Sequence, residues 1–125
     1  MIRRICLGVV ALAAFAAPAM AQDACVTPYA PTVPDGTTAT KEQILSARDQ
    51  VMAFIKASDD FQACLKLYLE QQMAAAARDK DKKEIDPALK KAIIDKGDSN
   101  QREKVRTGTE LNTAVRAFNT AHPAN

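Results

Sequence analysis

From Lys41 to Glu84 the chain runs 44 residues without a glycine or a proline. Within that stretch Ile44, Ala47, Val51, Phe54, Phe61, Leu65, Tyr68 and Ala75 recur at alternating steps of three and four, with Ser58 and Gln72 filling the gaps. Such spacing puts one apolar line along a helix and is the signature of a coiled-coil seam. Ser58-Asp59-Asp60 has the composition of a local cap that would split the run and give three helices in all. The seam stays in phase through it, so the spacing predicts one long helix.

The boundaries follow from local chemistry. Thr40-Lys41-Glu42-Gln43 has the form of a capping box and starts the helix. Ala74 to Ala77 has the highest helix propensity, and the mixed charges from Arg78 to Glu84 read as a solvated helix end. Asp86-Pro87 is a restart, with aspartate at the N-cap and proline at the first helical position. A second helix then carries Leu89, Ile93, Ile94, Val105, Leu111, Val115 and Phe118 and ends near His122-Pro123. Gly97-Asp98-Ser99 reads as a bend or short interruption after which the pattern resumes in phase.

Two amphipathic helices joined by a tight connection near Ile85 demand an antiparallel hairpin. If that connection is symmetric, residues whose numbers sum to about 170 face each other. Leu65 then meets Val105, Phe61 lies over Gly108, Ser58 lies near Asn112, and Phe54 and Val51 reach Val115 and Phe118. Gly97 and Gly108 both fall on the inward edge in this register.

The start of the chain is an export signal by pattern. Arg3 and Arg4 precede an apolar run from Ile5 to Ala17, and Ala19-Met20-Ala21 offers a cleavage site before Gln22. The expected division is a leader over 1–21, a proline-rich arm over 22–40 and a helical hairpin domain over 41–122. The apolar run is short for a bilayer and no second one follows, so no stable membrane span is expected after cleavage. The whole chain has 17 Lys and Arg against 15 Asp and Glu, but Arg3 and Arg4 leave with the leader and the remainder is formally neutral. Without a clustered positive field, and with no Trp and two Tyr, nucleic acid is not an expected partner. The location expected is the periplasm, or the exterior.

Cys6 also leaves with the leader, so Cys25 and Cys64 are the remaining pair, and in an oxidising compartment such a pair forms a structural disulfide. Closing that loop stabilises a fold by roughly 4 kcal/mol on the chain-entropy account. A redox dithiol would need the two cysteines close in sequence. Pro28, Pro31 and Pro34 follow at a period of three, the repeat of polyproline II, and Pro34-Asp35-Gly36 is a turn signal. The fifteen steps from Cys25 to Thr40 reach about 46 Å in that conformation. Cys64 stands only about 35 Å up the first helix, so the arm can run from the disulfide back to the N-cap. Along that path Val26, Tyr29 and Val33 would cover Met52, Ile55 and Leu67.

The fold class predicted is therefore all-α, an antiparallel hairpin of two long helices with an extended arm stapled by a disulfide. The chain resembles small exported helical proteins of Gram-negative bacteria. The residues that carry the resemblance are Cys25 to Pro28, Pro34 to Gly36, Cys64-Leu65, Asn100 to Lys104 and Asn112 to Phe118. The resemblance implies location and fold and brings no activity with it.

No catalytic set is legible. His122 is the single histidine and sits near the chain end; Ser46, Ser58 and Ser99 have no base nearby in sequence; Asp59 and Asp60 are adjacent and point apart on a helix. An enzyme is not expected, nor a cofactor. Metal binding would have to use one histidine, Met52 and Met73, or the acids Asp79, Asp81, Glu84 and Asp86, which lack the glycine turn of a calcium loop. A small-ligand or metal-binding periplasmic protein is the alternative reading. The leading expectation is a non-enzymatic interaction or structural module of the cell envelope, whose partner is an envelope protein or a second copy. Its candidate surface is Pro28, Tyr29, Pro31 and Pro34 on the arm with Met52 and Leu67 on the helix.

Overall fold

The computed structural model describes residues 25–81 and 84–123. The expected leader and cleavage site lie outside them. Two helices, α1 (Lys41–Arg78) and α2 (Pro87–Ala121), pack against each other, and no strand occurs among the described residues. No helix there is long and apolar enough to cross a membrane.

α1 begins as its capping box requires. The Gln43 amide donates to Thr40 Oγ1 at 3.2 Å and the Thr40 amide donates to Gln43 Oε1 at 2.8 Å. It runs unbroken through Ser58-Asp59-Asp60, so there are two helices and not three. It stops at Arg78, where the Asp79 carboxylate accepts the Asp81 amide at 2.9 Å and offers the backbone a turn in place of another helical bond. α2 starts at Pro87 with the Asp86 carboxylate accepting the Ala88 amide at 2.8 Å. It passes through Gly97 without interruption, because the packed face on either side holds the backbone against glycine's weak preference.

The seam keeps heptad spacing on both helices. α1 buries Ile44, Ala47, Val51, Phe54, Ser58, Phe61 and Leu65, and α2 buries Ile93, Asn100, Thr107, Leu111 and Ala114. Apolar clusters occupy the two ends. Cys25, Phe61, Leu65 and Ile93 pack together towards the connection, with Tyr68, Leu69 and Leu89 against them. At the other end Ala47 and Val51 meet Leu111, and Ile44 and Ala39 meet Ala114, with Val33 and Val115 touching both groups. Between them lies a polar layer. Asn100 Nδ2 donates to Ser58 Oγ at 3.2 Å, and Gln62 Nε2 donates to Asn100 Oδ1 at 2.9 Å.

These contacts correct the register. Ser58 meets Asn100 and not Asn112; a Cβ added at Gly97 would lie 3.8 Å from Leu65 Cδ1; Val51 clusters with Leu111. Facing residues sum to about 160 rather than 170, a slide of roughly 15 Å at ~1.5 Å per residue. Two assumptions produced the error. The connection was centred on Ile85, whereas α1 gives up its last turns to the Asp79 bend. Val105 was taken as a seam residue because it is apolar, yet it is 57 % exposed, and Gly108 beside it has no atom within 4 Å of an added Cβ. The seam of α2 passes instead through Gly97, Asn100 and Thr107, residues that a hydrophobicity pattern skips.

Candidate interaction surfaces

The arm is held at both ends. Cys25 and Cys64 form a disulfide with Cα atoms 5.8 Å apart, and Cys25 is 5 % exposed in the cluster of Phe61, Leu65 and Ile93. At the other end Pro34-Asp35-Gly36 turns as its composition predicts. The Thr37 amide and hydroxyl donate to Asp35 Oδ1 at 2.9 and 2.7 Å, and the Thr38 and Ala39 amides donate to the Asp35 carbonyl at 3.2 and 2.9 Å. The Thr37 hydroxyl and then its amide hold the Asp35 carboxyl below the usual carboxylate range. Gly36 lies directly on the α2 backbone: a Cβ there would fall 1.9 Å from the Ala114 carbonyl oxygen and 2.9 Å from the Phe118 nitrogen. Only glycine allows that approach.

Between these anchors exposure alternates with a period of three, as a threefold extended strand laid on a surface would give. Pro28, Pro31 and Pro34 are half-buried against the hairpin, while Val26, Tyr29 and Thr32 point outward. Val26 is 87 % exposed and Tyr29 95 %. The expected cover of Met52 and Leu67 by Val26 and Tyr29 is therefore absent, and both helix residues stand exposed. The strand instead follows the side of the hairpin where Thr27 and Pro28 approach Ser99 and Glu103, and where Val33 and Pro34 approach Thr109 and Thr113. It occupies that side because Cys64 sits on the same flank of α1, so the disulfide decides which groove the arm fills.

The six residues singled out for a surface are thus divided among different faces. The prolines form the inner edge of the arm and Tyr29 its outer edge. Met52 and Leu67 lie about 60° apart around α1 and four turns apart along it, Met52 flanking the groove opposite the arm and Leu67 on the back of the helix. The sequence reading missed Val26 and Thr32 as outward residues, although the same threefold count that turns the prolines inward assigns them to the other edge.

Several of the ionisable groups pair with one another. Lys104 crosses the helices to Asp59 at 2.6 Å, and Asp60 takes Lys56 at 2.8 Å, so the adjacent aspartates serve separate cations. Arg106 joins Glu103 and Glu110 along α2; Glu103 is held below and Arg106 above its usual range by that pairing. His122 stacks on Phe118 with ring centroids 4.4 Å apart, and its Nδ1 lies 3.1 Å from the Phe118 carbonyl, an arrangement that closes the helix end. Among the described residues no group of three His, Cys, Asp or Glu is placed to hold a metal ion. Comparison with protein-family models, with curated proteins and with solved structures found no match.

Proposed function

We propose that this chain is an exported, non-enzymatic interaction module of the bacterial envelope, and that it presents the outer edge of its arm to a partner protein. The observation that carries the reading is the 95 % exposure of Tyr29 on a strand fixed at both ends. A tyrosine has few torsions to immobilise and a large amphipathic surface, so a pre-ordered, solvent-facing tyrosine is well suited to anchor an interface. Val26 and Thr32 stand one repeat away on either side, about 9 Å along the strand at ~3.1 Å per residue. The prolines of the arm limit its freedom before any partner arrives, which lowers the ordering cost of association.

Export rests on the leader pattern and agrees with the disulfide, since such bonds persist in oxidising compartments. The test is a photoreactive phenylalanine analogue at position 29, irradiated in the intact envelope. Adduct mass should identify one protein reproducibly. The same probe in a Cys64→Ser background should lose most of that adduct, because the strand is then free at its N-terminal end. A probe at 29 that captures nothing, or that captures the same protein equally well without the disulfide, rules the reading out.

A further inference from the structure

The arm is fastened to the hairpin at two points and by little else. No hydrogen bond holds residues 26–34 among the described residues; the first ones on the arm belong to the turn that begins at Asp35. The seat between the anchors is apolar and shallow. Pro28, Pro31, Val33 and Pro34 are half-buried, and Val26, Thr27, Tyr29 and Thr32 are exposed. Fixing this stretch in one extended path costs conformational entropy at each residue, which the prolines reduce and do not remove. So shallow a seat, without hydrogen bonds, does not offset that cost, and the covalent bond to Cys64 makes up the difference.

The two anchors differ in kind. At the Asp35 end the turn is hydrogen-bonded within itself and Gly36 lies on the Ala114 carbonyl, so this end keeps its place by its own contacts. At the other end the anchor is a bond that thiol chemistry can open. Cys25 is 5 % exposed, but Cys64 is only partly buried and offers the more accessible sulfur. The hairpin does not rest on this bond, which joins the arm to α1 alone. What joins α1 to α2 is the layer of Ser58, Asn100 and Gln62, the ion pair of Lys104 with Asp59, and the clusters around Val51 and Ile44. None of these includes a cysteine.

We propose that the bond between Cys25 and Cys64 is a redox latch. A protein dithiol of the Cys-x-x-Cys class opens it, and the arm passes from an ordered to a disordered strand, pivoting at Gly36 over an intact hairpin. One thiolate of the dithiol attacks Cys64 Sγ, and Cys25 leaves as a thiolate and takes up a proton; the second thiol of the dithiol then displaces Cys64. The dithiol ends as a disulfide, and this chain gains two electrons and two protons as two thiols. The chain is thus a substrate of such a catalyst and not the catalyst. Opening the latch also ends the fixed presentation of Tyr29; that consequence rests on the function proposed above, whereas the latch itself does not.

The test uses the purified protein and no partner, so it succeeds or fails separately from the capture at position 29. Backbone amide relaxation of the oxidised protein should give order parameters of about 0.85 along 26–33, as in the helices. Reduction should lower them below about 0.6 on the arm while α1 and α2 keep theirs, and reoxidation should restore them. The variant Cys25→Ser/Cys64→Ser should show the reduced pattern permanently, with the helical circular dichroism of the parent. A purified Cys-x-x-Cys oxidoreductase should open the bond in the folded protein. Dithiothreitol should open it at a rate that stays level in urea below the unfolding transition. An arm that remains rigid when reduced or in the serine variant overturns the proposal, and so do helices that melt with the bond. A bond that either reagent opens only as urea unfolds the chain overturns it as well.

Discussion

Replacing Thr107 by valine should stabilise the protein. Thr107 is fully buried in the centre of the seam, and its hydroxyl is the buried side-chain group without a hydrogen-bond partner among the described residues. An unpaired hydroxyl withdrawn from water costs about 1–3 kcal/mol. Valine has the same shape and a similar helix propensity, so Thr107→Val removes the cost and keeps the packing. We expect a gain of about 1–2 kcal/mol, which for a domain of about a hundred residues raises Tm by roughly 4–8 °C per kcal/mol. Thr107→Ser makes the opposite change: it keeps the hydroxyl and deletes a methyl, and should lose about 1 kcal/mol to transfer and cavity terms. The assay is urea and thermal unfolding of both variants, oxidised and at one low concentration, with an unchanged urea slope required for a stability reading. The refuting result is a valine variant that loses as much as the serine variant. The hydroxyl would then be satisfied in the folded protein, and the polar layer would extend to Thr107.

Three other outcomes follow from the same contacts. Asn100→Ala should cost about 1–3 kcal/mol by stranding the buried Ser58 hydroxyl, while Gln62 keeps its bond to Gln101; Ser58→Ala/Asn100→Leu should recover most of it, and chemical denaturation of both reports the difference. Gly36→Ala has no room above Ala114 and should detach the turn, giving a loss of about 1–3 kcal/mol and proteolytic cleavage within 26–38 under conditions that leave the parent intact. The Asp35 carboxyl is depressed in the folded state, so its support of the turn is complete above the ordinary carboxylate range and disappears as pH falls through the lowered value. Acid unfolding should therefore begin at higher pH in the parent than expected from its other acids, and Asp35→Asn should flatten that limb; an identical acid profile would remove Asp35 from the account.

The parts of the fold that could be read in advance were those set by local chemistry. The capping box at Thr40, the restart at Asp86-Pro87, the turn at Asp35 and the disulfide each depend on a few neighbouring residues or on a pair with no competitor. The register between the helices depends on contacts 38 to 42 residues apart, and there the sequence misled. Val105 and Ile94 look like seam residues by hydropathy, while Asn100 and Thr107 do not, yet geometry buries the polar pair and exposes the apolar one. A heptad count begun at Ile93 and carried by sevens through Asn100, Thr107 and Ala114 would have found the true line. Hydropathy alone could not, because Ile94 and Val105, which it also followed, lie outside the buried line. The arm was legible in reach and repeat but not in direction, since nothing local says which groove Cys64 assigns it to.

The disulfide also decides how the molecule answers a pull. It closes 39 residues of sequence separation into a covalent ring, so tension entering at Cys25 passes straight to Cys64, near the middle of the hairpin. The backbone of the arm and of the first turns of α1 carries none of it; the load runs through the chain beyond Cys64, and α2 resists through its contacts with Ile44, Ala47 and Val51 as well. In a single-molecule stretching trace the ring would stay hidden, and a reductant would release roughly 130 Å of additional contour at ~3.4 Å per residue. The protein is in that sense tethered at its waist rather than at its end.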